Sequence, residues 1–120
     1  MIFGVGCDII EIYRIAKKDE RFLEKCFTKK EQDLFREKKL SQTIAANFAA
    51  KEAFSKALGT GVRGFSLIDI EVLRDELGKP YINLYNGAKE LCENAGIKDI
   101  FVSLSHSKEL AMAYVVLEKE

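Results

Sequence analysis

Residues 47–61 read NFAAKEAFSKALGTG, and the rest of the chain is read outward from this stretch. Alanine and phenylalanine recur around the whole circumference of the helix it predicts, and a helix apolar over most of its surface is a buried one. Yet Lys51, Glu52 and Lys56 sit in its middle. At about 100° per residue, Glu52 falls between Phe48 and Ala45 on the helical wheel, inside the apolar arc. Glu52 and Lys56 lie one turn apart on one face, and an exposed pair at that spacing contributes only roughly 0.2–0.5 kcal/mol. A carboxylate in apolar company is instead neutralised, paired or given a metal. The helix stops at Gly59, Thr60 and Gly61, where glycine permits positive-φ backbone and N–H groups that can meet phosphate oxygens. The stretch therefore points either to an ordinary i,i+4 ion pair or to a helix that holds a cation and an anionic group together. It is not a Walker A loop, because no G-x-x-x-x-G-K-[ST] occurs in the chain.

Upstream, residues 1–10 (MIFGVGCDII) read as a short apolar strand. Alternation places Gly4, Gly6 and Asp8 on one face, with Phe3, Val5 and Cys7 on the other. Either the two bare positions leave room for something bulky beside Asp8, or another backbone approaches closely there and Asp8 ends the strand. A dinucleotide fingerprint fails, since Ile9 stands where its third glycine belongs. Residues 11–27 carry Ile12, Ile15, Phe22 and Leu23 at helical spacing, with a break near Asp19. If that helix is continuous, Arg14, Lys18, Arg21 and Lys25 form one stripe, a positive ridge suited to a small acidic partner. Thr28 and Glu31 form a capping box opening a helix over 28–39, and Ser41 is placed to cap the next one, which runs to the glycines.

Downstream, residues 68–75 and 80–85 read as strands around the turn ELGKP, and Asn86 caps a short helix ending near Gly96. Residues 99–107 and 109–118 complete a hairpin turning near Lys108. This order predicts an α+β fold, with helices packed on a mainly antiparallel sheet, as a single domain over residues 1–120. In SLSHS, residues 103–107, a phosphate held by a hydroxyl and the imidazole of His106 is more economical than a Ser–His nucleophile. Adjacent strand residues point to opposite faces, and G-x-S-x-G is missing.

Lys plus Arg equals Asp plus Glu at 19 each, so net charge gives no footing for nucleic acid, and a charged partner must meet a local patch. Cys7, Cys26 and Cys92 are odd in number and far apart, which argues against a disulfide framework and fits a reducing, cytoplasmic setting. No apolar run is long enough to predict a membrane span, and the first residues lack the basic region of a signal peptide.

Taken together, GVGCDIIEIYRI, FAAKEAFSKALGTG, GKP and SLSHS…AMAYVVLE resemble the 4′-phosphopantetheinyl transferases over essentially the whole chain, in order and spacing. The length is similar to that of the single-repeat branch. The resemblance implies transfer of the 4′-phosphopantetheine arm of coenzyme A to a serine of apo acyl carrier protein, with Mg²⁺, releasing adenosine 3′,5′-bisphosphate. By similarity, Asp8 and Glu52 are metal-binding carboxylates and Lys56 meets the diphosphate, these three forming the catalytic set. Either Glu52 or a metal-bound water is the implied base. Gly59, Thr60 and Gly61 would lie near the coenzyme, while Gly78, Lys79 and Pro80, with Ser105 and His106, would hold the adenosine and its 3′-phosphate. Arg14, with Lys18, Arg21 and Lys25, would receive the acidic carrier. The family also implies a homotrimer with sites shared between neighbouring chains. One departure stands out: Asn47 occupies a position where the family often has an arginine suited to phosphate, and Lys51 is the nearby cation expected to compensate. Two other classes share parts of this pattern, a module that binds coenzyme A or a carrier without transfer and a metal-dependent phosphohydrolase.

Overall fold

The computed structural model describes residues 1–37 and 40–120. Lys38 and Lys39, the last two residues of the helix expected over 28–39, lie outside the described residues. In chain order the elements are β1 (Ile2–Glu11), α1 (Ile12–Ala16), α2 (Glu20–Cys26), α3 (Lys29–Glu37), α4 (Leu40–Leu58), a 3₁₀ turn (Leu67–Asp69), β2 (Ile70–Arg74), β3 (Pro80–Leu84), α5 (Asn86–Ala95), β4 (Ile97–His106) and β5 (Leu110–Lys119). All strand pairs are antiparallel. They divide into a three-stranded sheet in the order β1-β5-β4 and a two-stranded β2-β3 ribbon. The fold is α+β, as the element order predicts.

Helix α4 lies against both sheets. Ala49, Ala50, Ala53, Phe54 and Ala57 are buried together with Ile70 and Val72 of β2 and Ala113, Val115 and Leu117 of β5. Its alanines keep the helix thin, and β1 exploits this. A Cβ at Gly4 would stand 2.0 Å from the Ala57 carbonyl oxygen, and one at Gly6 would stand 2.0 Å from that of Ala53. The two glycines therefore serve a backbone-to-backbone approach, as the second reading of GVG has it, but Asp8 does not end the strand, which stays paired with β5 as far as Glu11.

Capping chemistry accounts for the other boundaries. The Thr28 N–H donates to Glu31 at 3.0 Å and the Glu31 N–H donates to Thr28 Oγ1 at 3.2 Å, the expected capping box. Asp19 caps α2 by accepting from the Phe22 N–H at 3.3 Å. Local capping thus overrides the helical periodicity of residues 11–27. The chain breaks between Ala16 and Glu20, so the stripe of Arg14, Lys18, Arg21 and Lys25 is not continuous. Ser41 falls inside the first turn of α4 rather than ahead of it. Asn86 is the first residue of α5, not its cap, and its amide reaches Asp69 at 3.2 Å. Gly96, at φ 76°, ends α5 in the left-handed conformation.

The outer face of the three-stranded sheet is largely apolar and is not covered by the described residues. Val5, Ile9, Phe101, Met112 and Tyr114 are exposed on it, and the register sets Val116 of β5 beside both Val5 and Phe101. Among the described residues, no helix is long and apolar enough to cross a membrane.

Replacing Gly6 by Ala should force α4 away from β1, and overpacking of this kind costs about 3 kcal/mol. Denaturant unfolding measures the loss, and a cost below about 1 kcal/mol would mean that the helix slides aside without strain.

Candidate active site

Asp8 shares the inward face of β1 with Gly4 and Gly6, so the close contact of β1 with α4 also sets where Asp8 meets the helix. There Lys56 Nζ donates to Asp8 Oδ1 at 3.2 Å and to the Cys7 carbonyl at 3.0 Å. The Asp8 side chain is 17% exposed and that of Lys56 56%, so the ammonium reaches in from solvent to a largely enclosed acid. Lys56 is engaged with Asp8, 48 residues away, and not with Glu52 one turn before it.

Glu52 is half-buried rather than enclosed. Burial holds its carboxyl above the usual carboxylate range, the charge of Asp8 pushes it further the same way, and Lys56 opposes both. Two carboxylates close enough to repel, against one ammonium, leave a surplus negative charge in a partly desolvated place. Hard divalent cations of the Mg²⁺ type are commonly held by one or two carboxylates plus substrate oxygens, and Asp8 with Glu52 fits that donor set. Among the described residues no group of three or more His, Cys, Asp or Glu side chains could hold a metal, so further ligands would come from substrate or water.

The Gly59–Gly61 turn follows directly on α4. Gly59 and Gly61 adopt φ values of 83° and 67°, and nothing crowds either one. The Gly59 N–H is already spent on the Lys56 carbonyl at 3.0 Å, so it is not free to meet a phosphate.

The residues expected to hold adenosine gather elsewhere. A groove of about 390 Å³ is lined by Thr43 and Ala46 of α4, Arg74, Gly78, Pro80 and His106. Ser105, paired with Met112 in the register, falls on the opposite face of β4 from its neighbour His106. Lys79 is exposed, with its N–H donating to Asp75 Oδ1 and its carbonyl accepting from the Asp75 N–H, each at 2.9 Å. Thr43 and Glu52 are nine residues apart on α4, which puts groove and carboxylates roughly 14 Å apart along the axis.

Arg14, Lys18, Arg21 and Lys25 are all exposed, and Arg14 Nε donates to Glu11 at 3.0 Å. Sequence reasoning missed what adjoins them. Arg14, Lys17 and Lys18 rim a groove of about 490 Å³ floored by Ile10, Ile15, Phe22 and Phe48, and Phe48 is one turn from Glu52.

The buried charge on α4 is Lys51, whose side chain is wholly enclosed. Its ammonium donates to Glu31 Oε1 at 2.8 Å, to the Leu67 carbonyl at 3.0 Å and to the Ile70 carbonyl, and it lies over the Phe27 ring. With all three protons used, Lys51 cannot compensate for a missing phosphate contact. Glu31 in turn accepts from the Thr28 N–H, the Val72 N–H and the Asn47 amide. Burial pushes Glu31 up and Lys51 down from their ordinary values, each against the pull of the other. Asn47 is fully buried as well, and its Oδ1 accepts from Arg74 Nη2 at 2.8 Å. The signal for this network was a lysine on an apolar helix, which demands an acid. The identity of that acid is a tertiary fact.

The chain is similar to known proteins along its length. The model of the 4′-phosphopantetheinyl transferase superfamily matches residues 4–115. A relative from Clostridium perfringens named holo-[acyl-carrier-protein] synthase is 52% identical, over 100% of this chain and 96% of its own length. The crystal structure of holo-[acyl-carrier-protein] synthase from Neisseria meningitidis superposes with a TM-score of 0.92 at 37% identity, covering 99% of this chain and 100% of the other. That from Bacillus anthracis, in complex with CoA (3′,5′-ADP), has a TM-score of 0.86 at 40% identity, covering 100% and 99%.

Removing one member of a buried ion pair strands the other, at a cost of about 3–5 kcal/mol. Lys51→Met should lose stability on that scale in denaturant unfolding, and Lys51→Met with Glu31→Met should recover part of it. A single variant as stable as the parent would contradict the pairing.

Proposed function

The chain belongs to the 4′-phosphopantetheinyl transferase superfamily, and on that premise we propose how its residues carry out the transfer. It is an enzyme that moves the phosphopantetheine group of coenzyme A to acyl carrier protein, a reading supported by the name of its full-length relatives and by coenzyme-bound neighbours. The finer assignment is that the transfer uses Mg²⁺, attacks through a carrier serine, and releases adenosine 3′,5′-bisphosphate. The observation that carries the site assignment is the meeting of Asp8, Glu52 and Lys56, from the two sides of the β1–α4 contact, with Lys56 3.2 Å from Asp8.

Asp8 and Glu52 would hold Mg²⁺, and the bound ion would supply charge neutralisation at the coenzyme's diphosphate. Lys56, tethered by Asp8 and the Cys7 carbonyl, offers its remaining proton to a diphosphate oxygen and stabilises charge on the leaving bisphosphate. As the serine oxygen bonds the phosphorus bearing the pantetheine arm, the bond from that phosphorus to the bisphosphate breaks. Either Glu52 or a water on the ion that it would hold takes the serine proton. The apolar groove beside Phe48, rimmed by Arg14, Lys17 and Lys18, is the proposed seat for the carrier, whose acidic surface that rim would steer. Arg21 and Lys25, exposed on the separate helix α2, are the further cations proposed to meet the carrier.

We also propose a homotrimer acting in the cytoplasm. The apolar outer sheet face, carrying Val5, Phe101, Met112 and Tyr114, is the surface that assembly would cover. Assembly would also let one chain's groove of Gly78, Pro80 and His106 serve a neighbour's carboxylates, which a single chain keeps apart. Ser105, on the covered face, would then line the neighbour's side of the same site. Gly59, Thr60 and Gly61, beside Lys56, would border the coenzyme.

The test mixes the protein with coenzyme A, Mg²⁺ and apo carrier, and weighs the carrier by mass spectrometry. A gain of one phosphopantetheine is expected, abolished by chelation and lowered ~10²-fold or more in rate by Glu52→Gln. Bisphosphate release without carrier would mean hydrolysis instead, and an unmodified carrier with no release would mean binding alone.

A further inference from the structure

Arg74 ends β2 half-buried, beside the groove of Thr43, Pro80 and His106, and no described carboxylate comes within 4.0 Å of its guanidinium. Its Nη2 donates to Asn47 Oδ1 at 2.8 Å, and its Nη1 makes a long contact of 3.4 Å with the Leu73 carbonyl. Asn47 is itself immobile, because its amide nitrogen donates to Glu31 at 3.0 Å and to the Val72 carbonyl at 2.9 Å. The guanidinium is therefore oriented from behind while its remaining N–H groups are open to the front. A partly desolvated arginine held in this way, its nearest influential acid Glu31 lying behind Asn47 and out of contact, is a receptor for an anion.

The surroundings choose which side the anion enters. On one flank of Arg74 lie Glu37, Asp75 and Glu76, which repel a phosphate. The other flank is the groove of Thr43, Ala46, Gly78, Pro80 and His106, which contains no carboxylate and offers a hydroxyl and an imidazole. Gly78, at φ 85° with nothing within reach of an added Cβ, keeps the rim open. A planar fork of N–H donors suits a phosphate monoester, whose terminal oxygens accept two parallel bonds.

Resting on the coenzyme reading above, we propose that Arg74, positioned by Asn47, binds the 3′-phosphate monoester of coenzyme A. The chain lacks the expected arginine at position 47 but presents a guanidinium 2.8 Å from the residue that replaces it, carried by β2 instead of α4. Asn47 is thus a positioning residue, and Arg74 is the one that touches the ligand. This accounts for both members of the pair: a buried asparagine that turns its oxygen toward the groove, and an arginine with no described carboxylate in direct contact.

Calorimetric titration with coenzyme A and with 3′-dephospho-coenzyme A, in Mg²⁺ and without carrier, tests the assignment. The parent should bind coenzyme A at least about tenfold more tightly than the dephospho form. Arg74→Ala should remove that preference by weakening coenzyme A about tenfold or more while leaving the dephospho form within about twofold. Arg74→Gln, which keeps a donor for Asn47, should behave the same way and serves if the alanine variant does not fold. Undiminished preference for coenzyme A in these variants, or an equal loss for both ligands, would overturn the role of Arg74. A parent protein that binds neither ligand would overturn the coenzyme reading itself, and this assignment with it.

Discussion

The strand β1 lies so close to helix α4 that neither Gly4 nor Gly6 has room for a Cβ, and the rest of the molecule is arranged around that contact. Alanines on one side and glycines on the other remove the side chains that normally hold a helix and a strand apart. The benefit is positional. With backbone against backbone, the register is fixed to less than the width of a methyl group, and two elements far apart in sequence deliver Asp8 and Lys56 to one place. A wider, side-chain-filled interface would tolerate slippage, and functional groups held a fraction of an ångström from productive geometry need the narrower kind.

A second fixture works on another face of the helix, through Asn47 and Lys51. Glu31 collects donors from Thr28, Val72, Asn47 and Lys51, and so ties α3, α4 and β2 into one unit at a fully buried point. Glu71 extends the network. It accepts from Thr28, Asn83 and Tyr85, and these bonds outweigh the burial that would raise its carboxyl, so it stays below the usual range. Buried ion pairs are weak evidence for stability, because desolvation offsets their attraction. Their geometry is directional, however, and here it aims Asn47 at Arg74. The polar network orients the groove as the glycine contact orients the carboxylates.

Much of this was legible in the chain. Alternation along GVGCD put Asp8 on the glycine face, Thr28 and Glu31 announced their capping box, and Gly59 and Gly96 marked helix ends, because each signal is local. The break before α2 was only half legible. The spacing of Ile12, Ile15, Phe22 and Leu23 argued for one helix, while Asp19 argued for a new start, and capping prevailed. The helical wheel placed Glu52 among apolar residues but could not show that its side chain emerges at the edge of the core, where β1 and α4 meet. It was equally silent on Lys51, whose partner Glu31 lies 20 residues away. Arg74 was invisible as a site residue, since a charged side chain at a strand end ordinarily belongs to solvent. Only the packing of β2 against Asn47 gives it a direction.

The claim on which the account turns is that Asp8 and Glu52 hold one divalent cation between them. Mn²⁺ in place of Mg²⁺ makes that directly observable, since free and protein-bound Mn²⁺ differ in electron paramagnetic resonance. Titrations in the presence of coenzyme A, on the parent, Asp8→Asn and Glu52→Gln, should find one tight site per chain in the parent. Each single variant should weaken that site by about tenfold or more. Either variant binding Mn²⁺ with the parent's affinity and stoichiometry would contradict the claim.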